Sequence, residues 1–271
     1  MTVIKTFFPR DLPVHVLLGD APHYRGSIHD DAVARARGYK AALVPGAFIY
    51  GHMSRLAADA WGLEWAEHGA MSARFRRPVY NHEDIVVSAG ALLDEGGASR
   101  ASVVVRNGDR EEVAEGWIAL PHDPPQPPAA SDVNCLETLE NPPVFSGGDL
   151  RAGMPLRSRE RELTGAAFET SLADFDETHP LYRQAGLVHS GMLMRLAMGD
   201  VNSTWKLPGP FVLVSTETQH FGLVRPSQQI RTAGQVVETF ERKGRHYLVS
   251  EEYMFADGVV AARFRRTQIY A

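Results

Sequence analysis

The feature that most constrains this chain is a strongly apolar segment at residues 187–199, which opens with a polar His-Ser-Gly sequence. Its side chains are apolar on nearly every helical face, and Arg195 is the interruption. A helix of this kind must be buried on most sides rather than laid on a surface. Ser190 can cap it, and Gly191 allows another backbone to approach its first turn. The segment therefore predicts a central helix over residues 190–202 that other elements wrap.

The first half of the chain contains the same arrangement, with a helix predicted over residues 45–61. Apolar residues recur there with the helical period, and Pro45 suits the first turn because no N–H is needed at that position. Four strand candidates with intervening turn sequences follow each helix. They span residues 72–80, 85–93, 101–106 and 112–120 in the first half, and residues 211–222, 229–240, 246–255 and 259–270 in the second. A helix followed by an antiparallel sheet, present twice, indicates a duplicated unit.

A proline-rich stretch separates the two halves. Residues 121–143 carry seven of the 17 prolines and show little periodicity. This composition predicts an extended connector that crosses the molecule. The chain is accordingly divided into an N-terminal unit at residues 1–120, a linker at 121–150 and a C-terminal unit at 151–271.

Composition excludes several classes of function. The 271-residue chain carries a net charge of −5, which gives no indication of a nucleic-acid partner. The single Cys135 rules out an internal disulfide and a cysteine-based metal cluster. The sequence shows neither a membrane-length apolar run nor a secretion signal, so a cytoplasmic protein is expected. It also lacks a glycine-rich phosphate loop and a metal-ligand spacing, so neither a cofactor nor a metal is expected.

The order of elements and several short motifs resemble the MaoC-like hydratase/dehydratase family, which includes the R-specific enoyl-CoA hydratases. The resemblance runs from about residue 24 to residue 270. It implies an α+β fold of the double hotdog type, in which two long central helices are each wrapped by an antiparallel β-sheet. The residues that carry it are Gly38, Leu43-Val44-Pro45-Gly46, Phe75-Arg76-Arg77-Pro78-Val79-Tyr80, Asp174, His179-Pro180-Leu181, Gly186 and His189-Ser190-Gly191.

In that family an Asp and a His five positions apart hold the water that is added to an unsaturated thioester. Asp174 and His179 have this spacing here, and the resemblance implies that they are catalytic together with His189. General acid–base work at two neighbouring carbons also requires a donor for the thioester oxygen. The start of the second central helix, at Ser190 and Gly191, is the expected substrate-binding element.

The catalytic motif departs from the family pattern in both halves. The second half has Phe-Asp-Glu-Thr between the Asp and the His, where the family usually has Asn-Pro, so Asp176 can replace Asp174 as the working carboxylate. The first half has Ile28 and Pro45 where the two histidines would align. That half is expected to be catalytically silent, and His29 with its two following aspartates is expected to be a helix-start cluster.

The sequence is compatible with three functions. The first is a cofactor-independent hydratase or dehydratase that acts on an acyl-CoA or acyl-carrier-protein thioester, with no nucleic-acid or membrane partner. The second is hydrolysis of the thioester on the same fold, and the third is a non-catalytic acyl-thioester-binding subunit. A homodimer is compatible with each of them, and none of them fixes the acyl group.

Overall fold

A computed structural model describes residues 8–19, 24–146, 148–207 and 211–270 of the chain. The helices are α1 (Asp31–Ala36), α2 (Gly46–Trp61), α3 (Leu63–His68), α4 (Gly165–Asp174), α5 (Pro180–Ala185) and α6 (Ser190–Ser203). The strands are β1 (Arg10–His15), β2 (Ala70–Phe75), β3 (Asp84–Ala89), β4 (Leu93–Glu95), β5 (Ala98–Asn107), β6 (Glu112–Pro121), β7 (Arg161–Glu162), β8 (Val212–His220), β9 (Gln229–Arg242), β10 (Arg245–Ala256) and β11 (Val259–Ile269). No helix in this described part has both the length and the apolar character needed to cross a membrane.

All eleven strands belong to one sheet, and every paired strand runs antiparallel to its neighbour. The strand order is β1-β3-β5-β6-β2-β8-β11-β10-β9-β7, with β4 paired to β5 alone. The two halves join where β2 pairs with β8, from Ala70 opposite Gln219 to Arg74 opposite Ser215. The predicted double hotdog arrangement, with one continuous antiparallel sheet around two central helices, is confirmed.

Two strand predictions in the first half need correction. The predicted strand 72–80 begins earlier and ends at Phe75, because the Arg-Arg-Pro sequence that follows turns the chain away from the sheet. The predicted strand 85–93 is split into β3 and β4. The break falls at Gly90, where a Cβ would lie 2.8 Å from Oγ of Ser102. A larger residue there would therefore require the Ser102 side chain to move.

The two central helices lie against each other inside the sheet. The observed bounds of α2 and α6 differ from the predicted ones by a single residue at one end. Gly51 of α2 meets Gly191 of α6, and a Cβ on Gly191 would lie 2.9 Å from Cα of Gly51. Two glycines at one crossing point allow the helix backbones to approach closely.

The linker packs against the second half of the sheet. Its regular structure within described residues 122–146 and 148–160 consists of a 3₁₀ turn at Ala130–Asp132 and isolated bridges. Leu150 and Leu156 are buried in a cluster with Val236 and Leu248 of the sheet. The connector is thus extended, as its prolines predict, while the unit boundaries at residues 120 and 150 remain a prediction.

Candidate functional site

The predicted site residues lie on a segment made of two short helices that lead into α6. Asp174 is the last residue of α4, and His179 is the N-cap of α5. Gly186 ends α5 in the left-handed conformation, with φ of 59°. The N-cap of α6 is His189 rather than the predicted Ser190, and its Nδ1 accepts a hydrogen bond from the N–H of Met192 at 3.2 Å.

The structure gives Asp174 a partner other than His179. Its Oδ2 lies 2.7 Å from Nη1 of Arg195 on α6. The Arg195 guanidinium also lies over the ring of Phe175, 5.1 Å from its centroid. Burial raises the pKa of Tyr24, and the charges of Arg195 and Asp174 act on the same hydroxyl in opposite directions. Asp174 therefore belongs to an ion pair with Arg195, whereas the contacts of His179 are with Glu177, Leu181 and Asp59.

The structural contribution of Asp176 comes from its backbone conformation. It is exposed and adopts a left-handed conformation with φ of 46°, which a non-glycine residue adopts only at an energetic cost. This reversal turns the next side chain, Glu177, into the interior, where only 4% of it is exposed. An acidic run typical of a solvated loop therefore contains one buried carboxyl group.

Glu177 and His179 lie side by side against α2 of the other half. Oε1 of Glu177 accepts the N–H of His179 at 2.7 Å and lies 3.7 Å from Nη1 of Arg55. The same Nη1 donates to the hydroxyl of Thr178 at 2.6 Å. Nε2 of His179 lies 3.5 Å from Oδ1 of Asp59, one helical turn after Arg55. Both halves of the chain therefore build this group, which we call the Glu177 cluster: Arg55, Asp59, Glu177, His179 and Tyr182.

Burial dominates the acid–base properties of the cluster. It raises the pKa of Glu177 to about 7, although the His179 N–H and the Arg55 charge act in the opposite direction. Burial also lowers the pKa of His179, against the favourable charge of Asp59. The carboxyl group therefore changes its charge near neutral pH, while His179 stays neutral there.

Tyr182 links the cluster to the start of α6. Its ring is buried, and its hydroxyl has no hydrogen-bond partner among the described residues. Burial and the charge of Glu177 raise the pKa of this hydroxyl, so it keeps its proton. The Tyr182 ring lies 6.0 Å from that of His179 and 5.8 Å from that of His189. A buried hydroxyl without a partner is costly and needs an explanation.

The first turn of α6 is held by a buried hydrogen-bonded chain. Oγ of Ser190 lies 2.8 Å from the hydroxyl of Tyr50 and 2.9 Å from Nε2 of His220. His189 is fully buried, and burial lowers its pKa to about 3. Its Nε2 lies near the carbonyl of Ser171 without a hydrogen bond of good geometry. Ser190 and His189 therefore fix the helix start, and neither is placed to carry charge at neutral pH.

Packing requires a glycine at position 191. A Cβ there would lie 2.6 Å from Cε1 of Phe175, besides its close approach to Gly51. The Phe175 ring stacks on Phe48 at 4.4 Å and covers this end of α6. The sequence-based reason for Gly191, close approach of another backbone to the first turn of α6, agrees with the contact at Gly51. The role of Gly191 in substrate binding stays a prediction. The N–H groups of Ser190 and Gly191 still have no acceptor among the described residues.

A cavity of about 440 Å³ lies at the other helix start, at the N-terminal end of α2. His29 lines it, and Nδ1 of this ring lies 2.7 Å from the carbonyl of Leu43. Asp30 is the N-cap of α1, and Asp31 accepts from the N–H of Ala42, so the predicted helix-start role of these acidic residues agrees with their contacts. Within the described residues, no group of three or more His, Cys, Asp or Glu side chains is arranged to hold a metal ion.

Sequence reasoning missed Arg55, Asp59 and Tyr182, and it gave Glu177 no role in the site. One signal was available. Arg55 and Asp59 are charged residues four positions apart on a helix that is otherwise mostly apolar, which indicates a shared polar contact. Tyr182 carries no comparable signal, because a tyrosine on a short helix is ordinary.

Comparison with known proteins reveals similarity in structure alone, since no protein-family model and no curated protein sequence matches the chain. A putative MaoC domain protein dehydratase from Chloroflexus aurantiacus has a TM-score of 0.66 and 15% identity, with 99% of this chain and 98% of that chain covered. A conserved hypothetical protein from Mycobacterium tuberculosis, described as having a double hotdog fold, has a TM-score of 0.62 and 15% identity, with 97% and 96% covered. A putative oleoyl thioesterase from Lactobacillus plantarum has a TM-score of 0.51 and 7% identity, with 96% and 94% covered.

These similarities cover nearly the full length of each chain. At such low identity they establish the architecture, and solved proteins described as a dehydratase and as a thioesterase share it. The chain therefore has the double hotdog fold, and its reaction must be argued from the Glu177 cluster.

Proposed function

We propose that this protein is an acyl-thioester enzyme that adds water to an α,β-unsaturated thioester or removes it again. The observation that carries the proposal is a buried carboxyl group, Glu177, with a pKa of about 7 beside a neutral histidine, His179, at the start of α5. A group that moves a proton twice in one cycle works best when its pKa lies near the working pH. The similarity to a solved MaoC domain dehydratase supports the same reaction class.

We infer the part of His179 in the reaction from its contacts. Its Nδ1 accepts the N–H of Leu181 at 3.2 Å, so the neutral ring carries its proton on Nε2. A neutral imidazole in this tautomer donates a hydrogen bond but is a poor source of a proton. We therefore assign His179 to hold the oxygen of the reacting water through Nε2–H, while the N–H of Leu181 on Nδ1 orients the ring.

Glu177 then moves the proton. Its Oε1 is taken by the N–H of His179, which leaves Oε2 for the water. The carboxylate removes a proton as the water oxygen bonds to the β-carbon, and the electron pair of the double bond moves toward the thioester. The protonated carboxyl group returns that proton to the α-carbon, so one water is added and Glu177 is regenerated. The dehydration direction runs through the same steps in reverse.

Negative charge gathers on the thioester oxygen in this sequence and needs a donor. The N–H groups of Ser190 and Gly191 lack an acceptor, and the positive end of the α6 dipole lies there. The Tyr182 hydroxyl, which keeps its proton, is a further donor next to Glu177. A substrate oxygen in this position would satisfy the Tyr182 hydroxyl. In this proposal neither His189 nor Asp174 moves a proton. His189 caps α6, and Asp174 forms the ion pair with Arg195.

The test is a pair of assays on one enoyl-CoA substrate. Hydration removes the absorbance of the conjugated thioester, and hydrolysis releases a free thiol. We expect absorbance loss without thiol release, and we expect both to be absent in Glu177→Gln. Thiol release at the faster rate would make the protein a thioesterase, and acyl-CoA binding with neither signal would make it a binding subunit.

A further inference from the structure

The cavity at the start of α2 has no part in the proposed reaction. Residues from both halves line it: the first turn of α2, the end of β2, the beginning of β8 and one residue of α6. Its volume of about 440 Å³ falls within the range usual for pockets that hold small ligands. Most of its walls are apolar, including Leu43, Val44, Ile49, Phe75, Leu213 and Ile269. An alkyl chain would replace water there favourably.

Positive charge is concentrated at this cavity. Arg76, Arg77 and Arg245 line it, and none of its described lining residues is an Asp or a Glu. This local excess contrasts with the net charge of −5 of the chain. Arg76 and Arg77 pair with Glu115 and Glu111 outside the cavity, through side chains that are about one third or more exposed. Exposed ion pairs contribute little, so a phosphate could replace those carboxylates at low cost.

His29 supplies a polar point in the apolar wall. Nδ1 of this ring lies 2.7 Å from the carbonyl oxygen of Leu43. The apolar chamber and its cationic rim match a ligand that has an alkyl chain and phosphates.

We propose that this cavity is a second acyl-CoA-binding site, separate from the Glu177 cluster. The acyl chain lies against the apolar walls, and the phosphates of CoA lie at Arg76, Arg77 and Arg245. The choice of ligand class rests on the proposed function, whereas the site itself rests on the cavity and its charge. The first half would then bind ligand although it lacks the Asp and His pair.

The experiment counts bound ligands by native mass spectrometry, with octanoyl-CoA as the probe because it has no double bond to hydrate. We expect two molecules per wild-type chain and one per chain of Met198→Trp, since the half-buried Met198 lines the cavity and a larger side chain there fills it. Leu196→Trp is the matched control, because Leu196 is half-buried on the same helix but does not line the cavity. This control should keep both molecules.

A second variant avoids any question of folding. Arg245 is exposed, so Arg245→Glu should leave the fold intact and weaken one of the two binding events by roughly tenfold, the effect of losing one charge-assisted hydrogen bond. Two bound molecules in Met198→Trp, together with unchanged affinity in Arg245→Glu, would overturn the proposal. If the wild type binds a single molecule and Met198→Trp still binds it, the proposal is overturned as well. A dimer in the same spectra whose interface covers the cavity would also overturn it.

The two proposals can fail separately. A single molecule in the wild type that Met198→Trp removes would support the cavity site and contradict binding at the Glu177 cluster. Hydration that persists unchanged in Glu177→Gln would contradict the proposed function without affecting the ligand count in the cavity.

Discussion

The starts of α2 and α6 hold equivalent places in the two halves of the sheet, yet their surroundings are opposite. The start of α2 has Pro45 as its N-cap with no side-chain hydrogen bond, and it opens onto an apolar cavity with a cationic rim. The start of α6 is capped by His189 and covered by the Phe175 ring, with a buried carboxyl group and an unpaired hydroxyl nearby. Within the described part of each half, α1 alone precedes the first of these helices, whereas α4 and α5 precede the second.

This difference shows what the helices α4 and α5 contribute in the second half. These helices and the residues between them place Phe175 and Tyr182 against the start of α6 and Glu177 against α2 of the other half, which supplies the charged partner Arg55. The buried polar side chains are therefore concentrated near the start of α6, whereas the start of α2 has the cavity and its apolar walls. Under our two proposals, the duplicated fold separates a site for proton transfer from a site for ligand binding.

The largest expected effect sharpens the contrast at Glu177. Glu177→Gln removes the group that moves the proton and preserves the shape of the side chain. Hydration should fall by roughly 10²- to 10⁴-fold, the usual contribution of a positioned acid–base group. The absorbance assay measures this fall, and octanoyl-CoA binding in the α2 cavity should be unchanged. A fall of less than threefold would show that Glu177 is not the proton carrier.

The second prediction concerns packing at the two helix starts. Gly191→Val places branched carbons where a single Cβ already lies 2.6 Å from the Phe175 ring. Overpacking of this kind typically costs about 1–3 kcal/mol, and the backbone of Gly51 allows little relaxation. Thermal unfolding should therefore show a clearly lower Tm.

The matched control is Gly46→Ala at the start of α2. There a Cβ would lie 3.1 Å from Cδ2 of Leu213, a side-chain atom that can move. We expect a smaller loss of stability in this variant. Equal losses in Gly191→Val and Gly46→Ala would contradict the different packing of the two helix starts.

The third prediction follows from the raised pKa of Glu177. The base must be ionised, so the hydration rate should rise with pH through about 7 and then level off. The raised pKa also means that the folded state holds this proton more tightly than the unfolded chain. The contribution of protonated Glu177 to stability is therefore present below the unfolded pKa and is lost as pH rises through about 7.

Glu177→Gln separates these two consequences of the same shift. It carries no charge to bury, so it should be more stable than the wild type at pH 8, and the advantage should shrink toward pH 5. Urea unfolding at both pH values measures this difference. A variant less stable than the wild type at pH 8 would show that the ionised carboxylate is well compensated by Arg55.

Much of the fold could be predicted from local sequence signals. Helical periodicity locates α2 and α6 to within one residue at either end, and turn sequences such as Asn107-Gly108 separate the strands. The direction in which Glu177 points could not be predicted, because it depends on the left-handed conformation of Asp176. Nor could the contact of Asp59 with His179, since these residues are distant in the sequence and meet only after the sheet closes.

The smallest expected effect tests the Asp and His spacing that the sequence singles out. Asp174→Asn removes one carboxylate charge from the Arg195 ion pair, whose side chains are about one quarter exposed. Such a pair contributes at most about 1 kcal/mol, so Tm should change little. Hydration should stay within about threefold of the wild type, because in the proposed reaction the proton passes through Glu177 and not Asp174. A group that itself moves the proton contributes far more. Parallel measurement of Asp174→Asn and Glu177→Gln decides between the two carboxylates. A loss of roughly 10²-fold in Asp174→Asn with full activity in Glu177→Gln would return the catalytic role to the residue that the family spacing indicates.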